Sequence, residues 1–226
     1  MTSRFEPEES AFPAELAALE RRFVLSSTAV EIGGQPVTLT RPRSADDLIS
    51  EADFEKDERL PYWADVWPSS TALASRIAAA DGRGRRALEL GCGLGLVTIA
   101  ALRAGYDVLA TDYYEDALLF ARYNGLTNAG REPDTRMVDW RHLPADLGAF
   151  DLVVASDVLY ERAYATLVAE TLVATLKPDG VALIADPGRV ALLSFLGECE
   201  ARGCVTSIHA RSPWTDGSAQ IGRAHV

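Results

Sequence analysis

The stretch "ELGCGLG", residues 89–95, carries glycine at alternate positions, Gly91, Gly93 and Gly95, directly after an acid, Glu89. Alternate glycines let a backbone turn tightly and approach a ligand that a side chain would keep away. The spacing G-x-G-x-G is not the dinucleotide fingerprint G-x-G-x-x-G. Asp112 follows 21 residues after Gly91, close to the separation at which an acid takes ribose hydroxyls in nucleotide sites. The pair Asp139-Trp140 and the run "ASDVLY", which holds Ser156, Asp157 and Tyr160, come next. A carboxylate can accept from ribose hydroxyls or an exocyclic amine, and an indole can lie on a purine.

S-adenosylmethionine accounts for this whole set. Its ribose suits Asp112, its adenine suits Asp139 and Trp140, and its methionine tail can lie on the glycine loop near Glu89. A pyrophosphate favours a loop free of acids, so Glu89 beside the first glycine disfavours nicotinamide and flavin cofactors. His142, His209 and His225 form no spaced cluster, so no metal is expected. Cys92 lies inside the glycine loop, where a small buried filler is the expected role.

Such residues need strand ends to present them. From Pro61 the chain alternates short apolar runs with helical patterns: "RALELG", "DVLATD", "TRMVDW", "FDLVVASDV" and "VALIAD" read as strands. Helices are expected over "LGLVTIAALRAG", "EDALLFARYNGL" and roughly 161–176 and 189–202. Strand and helix in alternation predict an α/β fold, a Rossmann-like, doubly wound and mostly parallel sheet. Ligands of such sheets sit at the carboxyl ends of the strands. Upstream, "AELAALER" predicts a short helix, and "RFVLSSTAVEIGGQPVTLTRP" predicts a β-hairpin around Gly33-Gly34. The acidic run 44–59 reads as a surface loop or short helix, and residues 1–13 as loose. Residues 1–60 are thus an N-terminal extension, 61–210 the cofactor-binding domain and 211–226 an irregular tail. Asn124 and Asn128 are expected at a helix end and turn.

The 226-residue chain has a formal net charge of −11. That balance disfavours gripping nucleic-acid phosphates and suits a basic protein partner. Three cysteines without a C-x-x-C pair fit a reducing cytoplasm, and no run reaches the length of a membrane span.

The combination "ELGCGLG", "TDYYEDALLFARYNGLTN", "VDWR", "ASDVLYE" and "LKPDG" resembles the seven-strand, class I S-adenosylmethionine-dependent methyltransferases. More narrowly it resembles the family that contains many protein-lysine methyltransferases. The Trp after the third-strand acid and the D-x-x-Y of Asp157 to Tyr160 are its specific parts. The upstream "LPYWADVWPSSTALA" is most similar to the branch of the electron transfer flavoprotein beta-subunit lysine methyltransferases. By this likeness Trp67, Glu89, Gly91, Gly93, Asp112, Asp139, Trp140 and Ser156 would line the cofactor pocket, and Asp157 and Tyr160 would face the acceptor. The implied activity is methylation of a protein lysine. Methylation of a small amine or heterocycle, and cofactor binding without turnover, are the alternatives.

The fold implied normally ends with an antiparallel strand between the fifth and sixth. After "CVTSIHA" the chain offers "RSPWTDGSAQIGRAHV", without a strand-like run. "IGRAHV" is also what the codons ATC GGA AGA GCA CAC GTC encode, a string matching a common sequencing adapter. The tail is therefore expected to be read-through, with the last strand missing.

Overall fold

The computed structural model describes residues 12–45, 48, 61–210 and 220–225. Most of the acidic run 44–59, residues 1–11 and residues 211–219 fall outside them, so the expectations for those stretches do too. Helix α1 (Phe12–Glu20) leads into a hairpin, β1 (Leu25–Ile32) and β2 (Gln35–Pro42). A 3-10 turn, Tyr62–Ala64, precedes helix α2 (Pro68–Ala78), whose first residue is a proline, the position where its missing N–H costs nothing.

The alternating segments follow as β3 (Arg86–Leu90), α3 (Leu96–Arg103), β4 (Asp107–Asp112), α4 (Glu115–Ala129), β5 (Asp134–Met137), β6 (Phe150–Ser156), α5 (Arg162–Thr175), β7 (Leu176–Asp186), α6 (Leu192–Ala201), β8 (Val205–Ala210) and β9 (Gln220–His225). The sheet order is β5-β4-β3-β6-β7-β9-β8. The first five of these strands run parallel, and β9 is antiparallel to both of its neighbours. Strand order reverses at β3, because β4 lies on one side of it and β6 on the other. The loop after β3 therefore opens at the switch point where doubly wound sheets bind ligands.

Period-2 alternation divides the sheet between two cores. Leu88, Leu90, Val153 and Ala155 face α5 and α6, packing with Val168, Leu172 and Phe195. Ala87, Leu152 and Val154 face the other way, against Ile77 of α2 and Ile99 of α3. Glu89 alternates onto this second face. The hairpin joins the same core through Ile32, Val37 and Leu39.

The expectation of a tail without a strand is corrected at Gln220–His225, which pairs in the slot between β7 and β8. A strand in that slot finds backbone partners on both sides, so the ladder itself holds a run of weak strand propensity. Asn124 is also corrected, since it lies inside α4, whereas Asn128 lies in the helix's last turn, near the end expected of it. Their side-chain amides act as a ladder for β2. Asn124 accepts from the Thr40 N–H at 2.8 Å and donates to the Thr40 carbonyl at 2.9 Å, and Asn128 does the same for Thr38 at 3.1 and 3.0 Å. Residues i and i+4 share a helix face, as alternate residues share a strand edge, so the two periods match here. Asn124 donates a further bond to the Leu94 carbonyl at 2.9 Å, which ties the hairpin to the glycine loop.

Asn124 is fully buried, and removing its amide strands buried backbone groups on two elements. Asn124→Ala should lower stability by about 2–3 kcal/mol, whereas Asn128→Ala, nearer solvent, should cost less than about 1 kcal/mol. Urea unfolding of the two variants checks this, and equal costs would refute the ladder as described.

Candidate active site

A cleft of about 900 Å³ opens at the carboxyl ends of β3, β4 and β6. Trp67, Glu89, Gly91, Gly93, Asp112, Asp139, Trp140, Ser156, Asp157 and Tyr160 all line it, so the residues expected at the cofactor pocket and the acceptor end share one cavity, whereas Gly95 does not line it.

The glycine loop is shaped by what surrounds it. Gly93 and Gly95 have φ of +51° and +82°, the left-handed region. A Cβ on Gly93 would stand 3.0 Å from the Trp63 carbonyl oxygen, and one on Gly95 only 2.8 Å from Ala121 Cα of α4. Gly93 thus admits the Trp63 turn, and Gly95 admits helix α4. Asp112, at the end of β4, fastens the loop. Its Oδ2 accepts from the Gly93 N–H at 2.9 Å and its Oδ1 from the Tyr114 N–H at 3.0 Å. Burial nevertheless pushes its carboxyl above the ordinary value, against the lowering effect of those amides.

Glu89 lies beneath the loop, 2% exposed, accepting a short hydrogen bond from Thr98 Oγ1 of α3. Burial pushes its carboxyl up to about 8, the Thr98 bond opposes the shift, and the charge of Asp112 adds to it. Cys92 is buried and its thiol is held far above its ordinary value by burial, which fits the inert filler expected there.

The third strand ends earlier than the sequence suggests. β5 stops at Met137, and Asp139 instead caps a 3-10 turn, Trp140–His142, accepting from the Arg141 N–H at 3.0 Å. Its carboxylate also takes the Arg141 side chain at 2.8 Å, and that bond holds it well below the usual carboxylate range. The Arg141 guanidinium in turn stands 5.6 Å from the Tyr113 ring centroid. Trp140 comes against Gly91, where an added Cβ would lie 3.8 Å from its ring.

At the far end, Asp157 follows β6 with φ of +59°, uncommon for a residue with a side chain. A chain of aromatic rings lines the same cleft. Tyr160 meets Tyr62 edge-on at 5.7 Å and Tyr164 at 4.9 Å, Tyr62 meets Trp67 at 6.0 Å, and Tyr164 meets Trp140 at 5.6 Å. Tyr62, Tyr164 and Arg189 were missed in the sequence. Arg189 follows the end of β7, so extending the strand-end rule to the fifth strand finds it; the two tyrosines have no signal beyond their neighbourhood to Trp63 and Tyr160.

A family model described as a methyltransferase domain matches residues 88–182. The electron transfer flavoprotein beta subunit lysine methyltransferase of Xenopus laevis is 33% identical over 138 residues, 59% of this chain and 55% of that protein. The protein N-lysine methyltransferase METTL21A of Danio rerio is 31% identical over 162 residues, 67% of this chain and 73% of that one. Among solved structures, the 16S rRNA N2 G1207 methyltransferase of T. Thermophilus superposes with a TM-score of 0.63 at 17% identity, covering 89% of this chain and 50% of that one. The fold and the cleft at its switch point are thus those of a Rossmann-like methyltransferase. The chain belongs to the class I S-adenosylmethionine-dependent methyltransferases. It spans about half the length of the electron transfer flavoprotein beta subunit lysine methyltransferases it matches.

The donor set fits that cofactor. Among the described residues no cation stands beside the buried acid Glu89, and an amino-acid ammonium is a charge that would ionise it. Asp112 retains lone pairs for hydroxyls after accepting two amides. No helix among the described residues is long and apolar enough to cross a membrane.

The sign of the Glu89 effect is fixed by its shift. Without a ligand it is protonated below about 8. The stability it contributes is then full below its ordinary value of 4.5 and is lost as pH rises through about 8. Binding the ammonium of S-adenosylmethionine to the ionised form should therefore release about one proton at neutral pH, and affinity should rise with pH before levelling near 8. Titration calorimetry in buffers of different ionisation enthalpy measures this. Proton release should vanish in Glu89→Gln, and its persistence there would remove Glu89 as the source.

Proposed function

We propose that this protein transfers a methyl group from S-adenosylmethionine to the side-chain nitrogen of a lysine in a basic protein partner. The observation that carries this reading is the far end of the cleft, lined by the Asp157 carboxylate, paired with Arg189, and by the touching rings of Tyr62, Trp67, Tyr160 and Tyr164. An aromatic passage with an acid at its end suits an alkyl chain tipped by nitrogen. The names of relatives from Xenopus laevis and Danio rerio, both lysine methyltransferases, support it. So does the net charge of −11, which attracts a basic surface. The described cysteines, free and buried, suit a reducing compartment, for which we take the cytoplasm.

In this reading Glu89 holds the cofactor's amino group, Asp112 its ribose, and Trp140 and Asp139 its adenine. Gly91 and Gly93 leave room for the tail, and Trp67 and Ser156 close the pocket. When bound, the cofactor supplies a methyl group already activated by its sulfonium. The protein's part is then alignment, an effect that reaches about 7–11 kcal/mol at best. Asp157 accepts an N–H of the acceptor amine and fixes the direction of its lone pair. Tyr160 packs beside the alkyl chain and excludes water.

Two measurements test this. Methyl-labelled S-adenosylmethionine and a bacterial lysate, divided into protein and small-molecule fractions, should give a discrete labelled protein band. The electron transfer flavoprotein beta subunit is the first purified acceptor to try. The band should be lost with Asp112→Ala and weakened at least about tenfold by Asp157→Ala, a loss of about 1.4 kcal/mol of transition-state stabilisation. Label confined to small molecules would instead favour a small-amine substrate, and cofactor binding with no label in either fraction a module without turnover.

A further inference from the structure

The turn after β7 holds one side chain against the acceptor end of the cleft. Asp186 is 1% exposed, and its Oδ1 accepts from the Gly188 N–H at 2.7 Å and the Arg189 N–H at 2.6 Å. With the backbone so fixed, the Arg189 Nε and Nη2 both donate to Asp157 Oδ1, at 2.8 and 2.6 Å. The guanidinium carbon lies 5.6 Å from the Trp67 ring centroid. Asp157 is set equally firmly, its N–H donating to the Ala185 carbonyl of β7 at 2.9 Å. Both arginine bonds fall on Oδ1, and no donor among the described residues is bonded to the other carboxylate oxygen.

A lone carboxylate at this point would work against methyl transfer. The nucleophile must be an amine with a free lone pair, whereas a free lysine, with a pKa of about 10.4, arrives protonated. A nearby anion strengthens that preference and a nearby cation weakens it. The acids lining this end are Asp157 after β6, Glu161 before α5 and Asp65 before α2, with Asp186 buried behind the turn. Among the described residues the phenols of Tyr62, Tyr160 and Tyr164 complete the titratable set at this end, and the other arginine lining the cleft, Arg141, is paired with Asp139.

We propose that Arg189 is a positioning residue that cancels the charge of Asp157, so that the acceptor amine is held in its neutral form. The inference rests on the reading above, in which Asp157 faces a nitrogen. Asp157 then offers an acceptor oxygen without offering a net negative charge. The lysine's proton stays with bulk water as the side chain enters, before any bond to carbon forms. Lysine in place of Arg189 would keep the charge but lose the fork that places two donors on one oxygen.

The experiment is the pH dependence of kcat for wild type, Arg189→Gln, Arg189→Lys and the double variant Arg189→Gln with Asp157→Asn. The acceptor is the purified protein that takes up label from the lysate. Arg189→Gln should lower kcat at neutral pH about tenfold or more and move the apparent pKa of kcat up by about one unit or more, so that its rate approaches wild type in alkali. Arg189→Lys should keep the wild-type midpoint. The double variant, with no charge on either partner, should return the midpoint toward wild type even if its kcat stays low. A uniform loss in Arg189→Gln at every pH, or an unmoved midpoint, would overturn the proposal. If wild type labels no amine, the reading of the acceptor fails, and that result is distinct from a labelled amine whose pH profile ignores Arg189.

Discussion

Everything in the cleft depends on the bond between the Asp112 carboxylate and the amide of Gly93. The loop that follows β3 must be loose enough in sequence to admit a ligand and tight enough in space to hold one. Gly93 answers the first need, and Asp112, from the neighbouring strand, answers the second by accepting its N–H while also accepting that of Tyr114. One side chain thereby joins the end of β3 to the start of α4. A second bond reinforces the same corner, since the Thr111 hydroxyl donates to the Glu89 carbonyl at 2.6 Å. The sheet reverses its order here, so the corner is anchored by strands that are paired on both sides.

The hairpin β1–β2 belongs to this arrangement. An isolated hairpin is marginal in water, and its outer strand carries unpaired backbone groups. Asn124 and Asn128 cover those groups with side-chain amides, and Ile32, Val37 and Leu39 seat the hairpin on α2 and α3. Because Asn124 also reaches the Leu94 carbonyl, the hairpin is coupled to the glycine loop through a single buried amide. The N-terminal segment therefore supports the cofactor side of the cleft from behind.

Much of this was legible in the sequence because parallel sheets place ligands by rule. Once "RALELG" and "DVLATD" are read as strands, Glu89, the glycines and Asp112 follow as neighbours at one edge, and they line one cleft. Period and propensity could not reveal contacts made between distant segments. Asn124 looks like a helix-ending residue by type, yet it lies mid-helix because Thr40, 84 residues away, supplies partners for its amide. Tyr62 meets Tyr160, and Tyr164 meets Trp140, through ring contacts between segments distant in the chain. The strand Gln220–His225 escaped for a related reason: its own residues argue weakly for a strand, and the two flanking strands decide the matter through backbone pairing.

The two ends of the cleft differ in how they treat charge, and the difference gives the cleft a direction. Glu89 and Asp112 are buried, and among the described residues their hydrogen-bond partners are a hydroxyl and backbone amides, with no cation. A desolvated acid in that state favours a ligand that brings positive charge with it. Asp157 is almost as buried but carries its own guanidinium, 2.6 Å away, and gains much less from an incoming cation. A molecule bearing an ammonium at one end thus has a preferred orientation in the cleft, with that group toward the glycine loop. The aromatic end, where Asp157 is already paired with Arg189, is left for a partner that binds through hydrogen bonds and packing. The asymmetry arises from the strand order, since Glu89 and Asp112 end β3 and β4, whereas Asp157 and Arg189 follow β6 and β7 on the other side of the reversal.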